Sequence, residues 1–275
     1  MKTVGISACS DALKLSMKDL IQELVCFLEE SGIQVLKSNC IFEKNGIFSG
    51  TGKEKAEELM KLFSNPEVEE IYDVSGGDMA NQILDDLDFE QIKKSRATFW
   101  GYSDLTTIIN AIYTMTGKSS VLFQMKNMVH EDFKEMQRER YLHQEELFNP
   151  SFRMIQGKSM QGIVVGGNIR CFLKLAGTKY FPDVTDKILL IEGWGGQVPQ
   201  MITYLSQLKS CGVFDKVRGI LIGTFTMMEE KGCHPDIITL VKQFAGENLP
   251  IAKTEEIGHY HNAKAIWIGK ELSIQ

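Results

Sequence analysis

The chain has no apolar stretch near the roughly 18 residues a membrane span needs, no CxxC pair and no excess of basic residues. Each absence removes a class of function. No spanning helix is expected, and the opening MKTVGISACSDALKLS lacks the long apolar core of a secretory signal. Cys9, Cys26, Cys40, Cys171, Cys211 and Cys233 are scattered, which favours buried free thiols in a reducing cytoplasm over disulfides or a metal site. A net charge of −6 and a pI near 5.5 are the opposite of the basic face that a nucleic-acid binder carries. No HExxH spacing occurs, and only His259 and His261 lie close together, so neither a metal nor another cofactor is expected.

What is present suits a soluble globular protein: 275 residues, 43% hydrophobic and 24% charged, enough for one large domain or two medium ones. The first half alternates short β-like runs with helical patterns. TVGISA (3–8) reads as a strand, Ser16 and Asp19 as a capping box for an amphipathic helix, and IQVLKS (33–38) as the next strand. GTGKEKAEELMKLF superficially resembles a phosphate loop. No apolar strand precedes it, its glycine spacing is wrong and Lys53 is followed by Glu54, so a loop entering a surface helix is expected instead. EEIYDVSGG and TFWGYSD each read as a strand running into a turn before a helix. Strand–helix alternation implies a parallel, doubly wound sheet that binds ligands beyond the strand carboxyl ends, so both turns belong on one rim.

Residues 131–155 are charged and weakly apolar, which predicts a solvated helix connecting an amino-terminal domain (1–130) to a smaller, β-rich carboxyl-terminal domain (156–275). His130 and His143 are expected in solvent. Among the five histidines, His259 stands out because it follows Gly258 in a loop past an apolar strand. Glu192 ends the apolar run KILLI before GWGG, where it either orients an imidazole or caps backbone groups. These supply a base and its partner, but no nucleophile. The double glycine of SGGDMANQIL is placed like a nucleophile elbow, yet no hydroxyl or thiol follows it.

Taken together, VGISACS, GTGKEKAEELMKLFSNPEVEEI, SGGDMANQILDDLDF, FWGYSDLTTI, VVGGNI, LAGTKYFPD, KILLIEG, YLSQLKSCGVF, GILIGTF and IGHYHNAKAIWIG resemble the LD-carboxypeptidase family of serine peptidases, which includes the microcin-immunity peptidases. The resemblance runs in the family's order over nearly the whole chain. It implies a Rossmann-like amino-terminal domain and a β-rich carboxyl-terminal domain with the site between them. It further implies a cytoplasmic homodimer working in peptidoglycan recycling, and a Ser–His–Glu triad that cuts an amide at the carboxyl end of a murein peptide or a peptidyl-nucleotide. Glu192 and His259 match the triad's carboxylate and imidazole. The nucleophile position implied after the double glycine is Ala80, with Gly77, Asp78 and Asn81 around it as oxyanion or binding residues. Ser75, Asp78 and Met79 also depart from the common pattern, which favours natural divergence over an engineered serine-to-alanine change. Two readings follow: a serine carboxypeptidase impaired at position 80 or active through a substitute, and a non-catalytic muropeptide-binding homologue. Ser103 in GYSD lies on the neighbouring rim, as a substitute nucleophile or as a cap for the helix near Leu105. Trp194, just after Glu192, is a ring-stacking or packing residue.

Overall fold

The computed structural model describes residues 1–275. Its first half follows the expected alternation: β1 (Thr3–Ser7), α1 (Lys18–Glu30), β2 (Gln34–Lys37), α2 (Gly52–Ser64), β3 (Val68–Asp73), α3 (Phe89–Lys94), β4 (Thr98–Gly101), α4 (Thr106–Thr116) and β5 (Ser120–Leu122). β1 is buried at every residue, as a strand covered by helices on both faces must be. α1 turns Ile21, Leu24, Val25, Phe27 and Leu28 inward, the stripe its periodicity predicts. The expected Ser16 capping box does not form. A 3-10 turn (Leu15–Met17) leads into α1, so Met17 occupies the cap and no side chain caps the helix. α2 does carry a capping box, in which Thr51 and Glu54 satisfy each other's backbone N–H groups. That reciprocal cap explains the Glu54 that spoils a phosphate loop.

The connecting stretch forms α5 (Lys134–Leu142) and α6 (Gln144–Leu147). It is less solvated than its composition suggests, because Gln137 and Tyr141 are buried and the Tyr141 hydroxyl shares a 2.7 Å hydrogen bond with that of Tyr72. The second half contains β6 (Arg153–Gln156), β7 (Met160–Asn168), α7 (Ile169–Leu173), β8 (Ile188–Gly193), α8 (Val198–Ser210), β9 (Gly219–Phe225), α9 (Thr226–Glu230), α10 (Ile237–Ala245), β10 (Ile251–Lys253), β11 (Ile266–Ile268) and β12 (Glu271–Ile274).

Two six-stranded sheets result. The first runs β2-β1-β3-β4-β5-β11, parallel except for β11, whose chain arrives from the far end of the sequence. The second runs β12-β7-β8-β9-β10-β6, with a parallel centre and antiparallel edges. In the first sheet the chain starts at β1 and moves outward both ways, which opens a crevice at the strand carboxyl ends.

α4 joins the two sheets. It is buried from Thr106 through Ile112, and its isoleucines lie in one apolar cluster with Val164 and Leu190 of the second sheet. Burying each such side chain contributes about 1.5–3 kcal/mol. Asn110 pairs with both backbone groups of Gly166, each at 2.9 Å, and the Asn168 N–H donates to the Thr106 hydroxyl at 3.0 Å. The start of α4 is thereby fixed against the end of β7. All six cysteines are free thiols, but only Cys9, Cys40 and Cys171 are buried; Cys26 and Cys211 are exposed. No helix is long and apolar enough to cross a membrane.

Candidate active site

A cleft of about 810 Å³ opens where the carboxyl ends of both sheets meet, lined among others by Gly77, Ser103, Asn168, Arg170, Trp194 and His259. Glu192, the second-to-last residue of β8, is fully buried. Its Oε2 lies 2.7 Å from His259 Nδ1, so the carboxylate accepts and Nδ1 carries the proton. Nε2, left as the acceptor, lies 3.2 Å from the Ser103 hydroxyl. Serine, imidazole and carboxylate thus form one continuous hydrogen-bonded chain across the two halves.

Local structure explains how each member is held. Ser103 follows β4 and Tyr102, and its φ of +54° puts a non-glycine residue in the left-handed region. Such backbone costs about 1–3 kcal/mol and persists only where its surroundings enforce it. A serine on a sharp strand-to-helix turn projects its hydroxyl clear of the sheet. It does not cap α4, whose N-cap residue is Leu105 and makes no side-chain bond. His259 is carried on an irregular loop between β10 and β11. Gly258 adopts φ +147°, and a Cβ there would lie 1.8 Å from the Thr224 hydroxyl, so only glycine lets this loop pass β9. The Tyr102 ring packs against the imidazole with centroids 4.4 Å apart. Burial, and secondarily the Glu192 charge, push the Tyr102 phenol well above its ordinary range, so it stays neutral beside the pair.

Position 80, where the resemblance implied the nucleophile, is not part of this chain. Ala80 is wholly buried in the apolar core, and its N–H donates to Asp104 Oδ2 at 2.8 Å. Asn81 is exposed and is not among the cleft-lining residues. The reason lies in the course of the chain. β3 ends at Asp73, and Ser75 lies beyond it, buried, with its hydroxyl bonded to Asp73 Oδ1 at 2.5 Å. The glycines then bend the chain so that the 3-10 turn Ala80–Asp86 faces the core. Gly77 does line the cleft, at φ +128°, where a Cβ would lie 2.1 Å from the Asp11 carboxylate carbon. Its N–H donates to no protein group.

Asp78 is exposed at the cleft, bonded through its carboxylate to Arg170 and Lys174 of the second half. Burial raises its pKa, but the two cations outweigh that and hold it below the usual carboxylate range. Lys174 also reaches the fully buried Asp104 at 2.6 Å. The other Asp104 oxygen accepts from Ser10 Oγ at 2.7 Å as well as from Ala80. The residue after Ser103 is therefore clamped from both halves. Trp194 is 62% exposed, so it is not a packed core aromatic.

Tyr102, Asp104, Asn168, Arg170 and Lys174 were not singled out from the sequence. Arg170 and Lys174 lie four apart in GGNIRCFLK, which puts both on one helical face. GYSDL itself, between a strand and a helix, approximates the G-x-S-x-G elbow and was the available signal for Ser103.

Comparison with known proteins agrees with this architecture. Residues 4–122 match the LD-carboxypeptidase N-terminal domain and residues 161–274 the LD-carboxypeptidase C-terminal domain. The "Probable murein peptide carboxypeptidase" of Bacillus subtilis is 27% identical over 90% of this chain and 82% of its own. The Microcin C7 self-immunity protein MccF of Escherichia coli superposes with a TM-score of 0.89 at 22% identity, over 99% of this chain and 92% of that one. Muramoyltetrapeptide carboxypeptidase from Oxalobacter formigenes gives 0.82 at 20% identity, over 98% and 94%. With both family domains matched in order along one chain, this protein belongs to the LD-carboxypeptidase family.

Proposed function

We propose that this chain is a catalytically competent serine peptidase in which Ser103, and not position 80, is the nucleophile. The observation that carries the reading is the unbroken contact from Ser103 through His259 to the buried Glu192. His259 Nε2 takes the Ser103 proton as Oγ attacks the carbonyl carbon of the scissile amide, and Glu192 stabilises the imidazolium. The free N–H of Gly77 is the candidate donor to the resulting oxyanion. His259 then returns the proton to the leaving amine. A water, deprotonated by the same nitrogen, releases the acyl group and regenerates the serine. A non-catalytic binder would have no use for a left-handed serine aligned on an imidazole, and the complete relay speaks against that reading.

The substrate class we favour is a murein peptide cut before its terminal D-residue, by likeness to the murein and muramoyltetrapeptide carboxypeptidases. A peptidyl-nucleotide is the second reading. The exposed Trp194 beside Glu192 offers a face for a ring, and MccF is known in complex with glutamyl sulfamoyl guanosine. We further propose a cytoplasmic homodimer serving peptidoglycan recycling, which the family resemblance and six unpaired thiols support. Incubation of the purified protein with murein tetrapeptide should release D-alanine stoichiometrically. If neither that peptide nor a peptidyl-nucleotide is cleaved, the reading is wrong.

A further inference from the structure

We infer that the segment between the two sheets, residues 125–142, is the cradle that positions His259, with Gln137 as the chief positioning residue. The inference rests on the reading of His259 as the base. The histidine sits in a stretch, 254–265, that forms no helix or strand. Regular backbone pairing therefore does not fix the imidazole, and something else must.

Glu192 and Tyr102 touch the imidazole itself; the backbone that follows it is held from the 125–142 segment. Gln137 is completely buried, and its amide donates to the carbonyl of His261 at 2.6 Å and to that of Ala263 at 2.9 Å. Arg140, one turn further along α5, donates to the carbonyl between them, that of Asn262, at 2.9 Å. Three successive carbonyls, beginning two residues after His259, are thus held by two side chains of a single helix. At the other end of the segment, the His130 ring stacks on His261 with centroids 3.7 Å apart, and Asn127 Oδ1 accepts from His261 Nδ1 at 3.2 Å. Gly258 against Thr224 fixes the near side of the loop, and this cradle fixes the far side.

The functional consequence follows from the tolerance of proton transfer. Ser103 Oγ to His259 Nε2 is already 3.2 Å, at the long end of productive hydrogen bonding. A shift of about 1 Å in a catalytic group costs on the order of a hundredfold in rate. A loop without regular pairing that bears the base therefore needs a rigid outer shell, and α5 supplies much of it. The charged, weakly apolar composition of 131–155 hides this role, because the residues that do the holding are a glutamine and an arginine facing inward from a polar helix.

The test compares Gln137→Met, which keeps the side-chain length but removes both donors, with Arg140→Met, whose side chain lies nearer the surface. Active sites are first counted by covalent labelling with a fluorophosphonate, so that every rate is expressed per reactive serine. We expect Gln137→Met to lower kcat about tenfold to a hundredfold with KM changed little, and Arg140→Met to lower it less. The rate constant for fluorophosphonate labelling should fall in parallel, and the His259 Nδ1 proton resonance should broaden or move. A purely structural role would reduce the count of labelled sites and leave the rate per site unchanged, which would overturn the proposal. If Gln137→Met does not fold, Arg140→Met decides it: wild-type labelling rate and wild-type Nδ1 resonance would also overturn it. Labelling and resonance need no substrate, so they test the cradle even if the murein-peptide reading fails.

Discussion

Two turns on the same rim of the first sheet, 75–80 and 101–104, look alike in sequence and differ completely in use. Both follow a parallel strand, both contain glycine, and both lead into a helical turn. In the first, glycine at φ +128° lets the backbone press against Asp11, the N–H of Gly77 is left without a protein partner and the methyl of Ala80 goes inward. In the second, a serine is itself forced to φ +54°, so the turn presents a side-chain hydroxyl toward His259. On the proposed mechanism the pair divides the work: one turn offers a donor for developing charge, the other the attacking oxygen. A glycine-rich strand end is thus evidence for a site on that rim. It does not reveal which atom the chain presents there.

Exchanging the two roles should break the comparison most sharply. Ser103→Ala should lower kcat by at least about a thousandfold, because His259 loses the only oxygen it can activate. Ala80→Ser, placed in a closed core with no facing imidazole, should not restore that loss. Steady-state D-alanine release by the two variants and their double mutant checks this. Recovery of activity in the double mutant would return the nucleophile to position 80.

Gly77→Ala should come next. The left-handed backbone and the collision with Asp11 predict a loss of about 1–3 kcal/mol in stability, read by urea unfolding. Because the N–H beside the cleft must move, kcat should fall about tenfold or more in the same variant. Wild-type kcat in a folded Gly77→Ala protein would remove Gly77 from the oxyanion role.

Lys174→Met probes what fixes the serine turn. Asp104 is fully buried, and losing its cation leaves that charge supported only by neutral donors, at a cost of about 3 kcal/mol. Thermal and urea denaturation measure it. The adjoining Asp78 contacts are solvent-exposed, so Asp78→Ala should change stability by less than about 1 kcal/mol. A larger effect for Asp78→Ala than for Lys174→Met would reverse the order of importance assigned to these ion pairs.

The smallest effect concerns pH. Burial, and then the neighbouring His130, lower the His261 pKa from its ordinary value. The unfolded chain therefore binds the proton more readily, so stability is full above the unfolded pKa of about 6.5 and declines as pH falls below it. Wild type should lose stability from pH 8 to pH 5 more than His261→Gln does, in parallel urea titrations. Identical slopes would show that this histidine does not titrate with unfolding.

Most of the first half was legible because its helices carry a clear 3.6-residue stripe and its central strands β1, β4 and β5 are short, largely buried runs. Glu192 and His259 were legible because the carboxylate lies at the end of an apolar strand and the histidine follows a glycine in the loop beyond another. GYSD carries Ser103, but its sequence fits a helix cap better than a nucleophile. Gln137 belongs to a helix whose composition looks merely solvated, and Arg170 and Lys174 are the cations of a short apolar helix, IRCFL, and its cap; nothing local says that the first faces inward or that the other two reach across to the other half.

The sequence by itself determined the alternating architecture, the rim where chemistry belongs and two of the three relay members, since these depend on local pattern and on residue type. The tertiary structure alone decided which turn presents its side chain to His259. That choice depends on where α4 is anchored by Gly166 and Asn168 and on the direction in which Asp104 draws Ala80. These contacts join residues more than twenty positions apart, and no local pattern encodes such a distance.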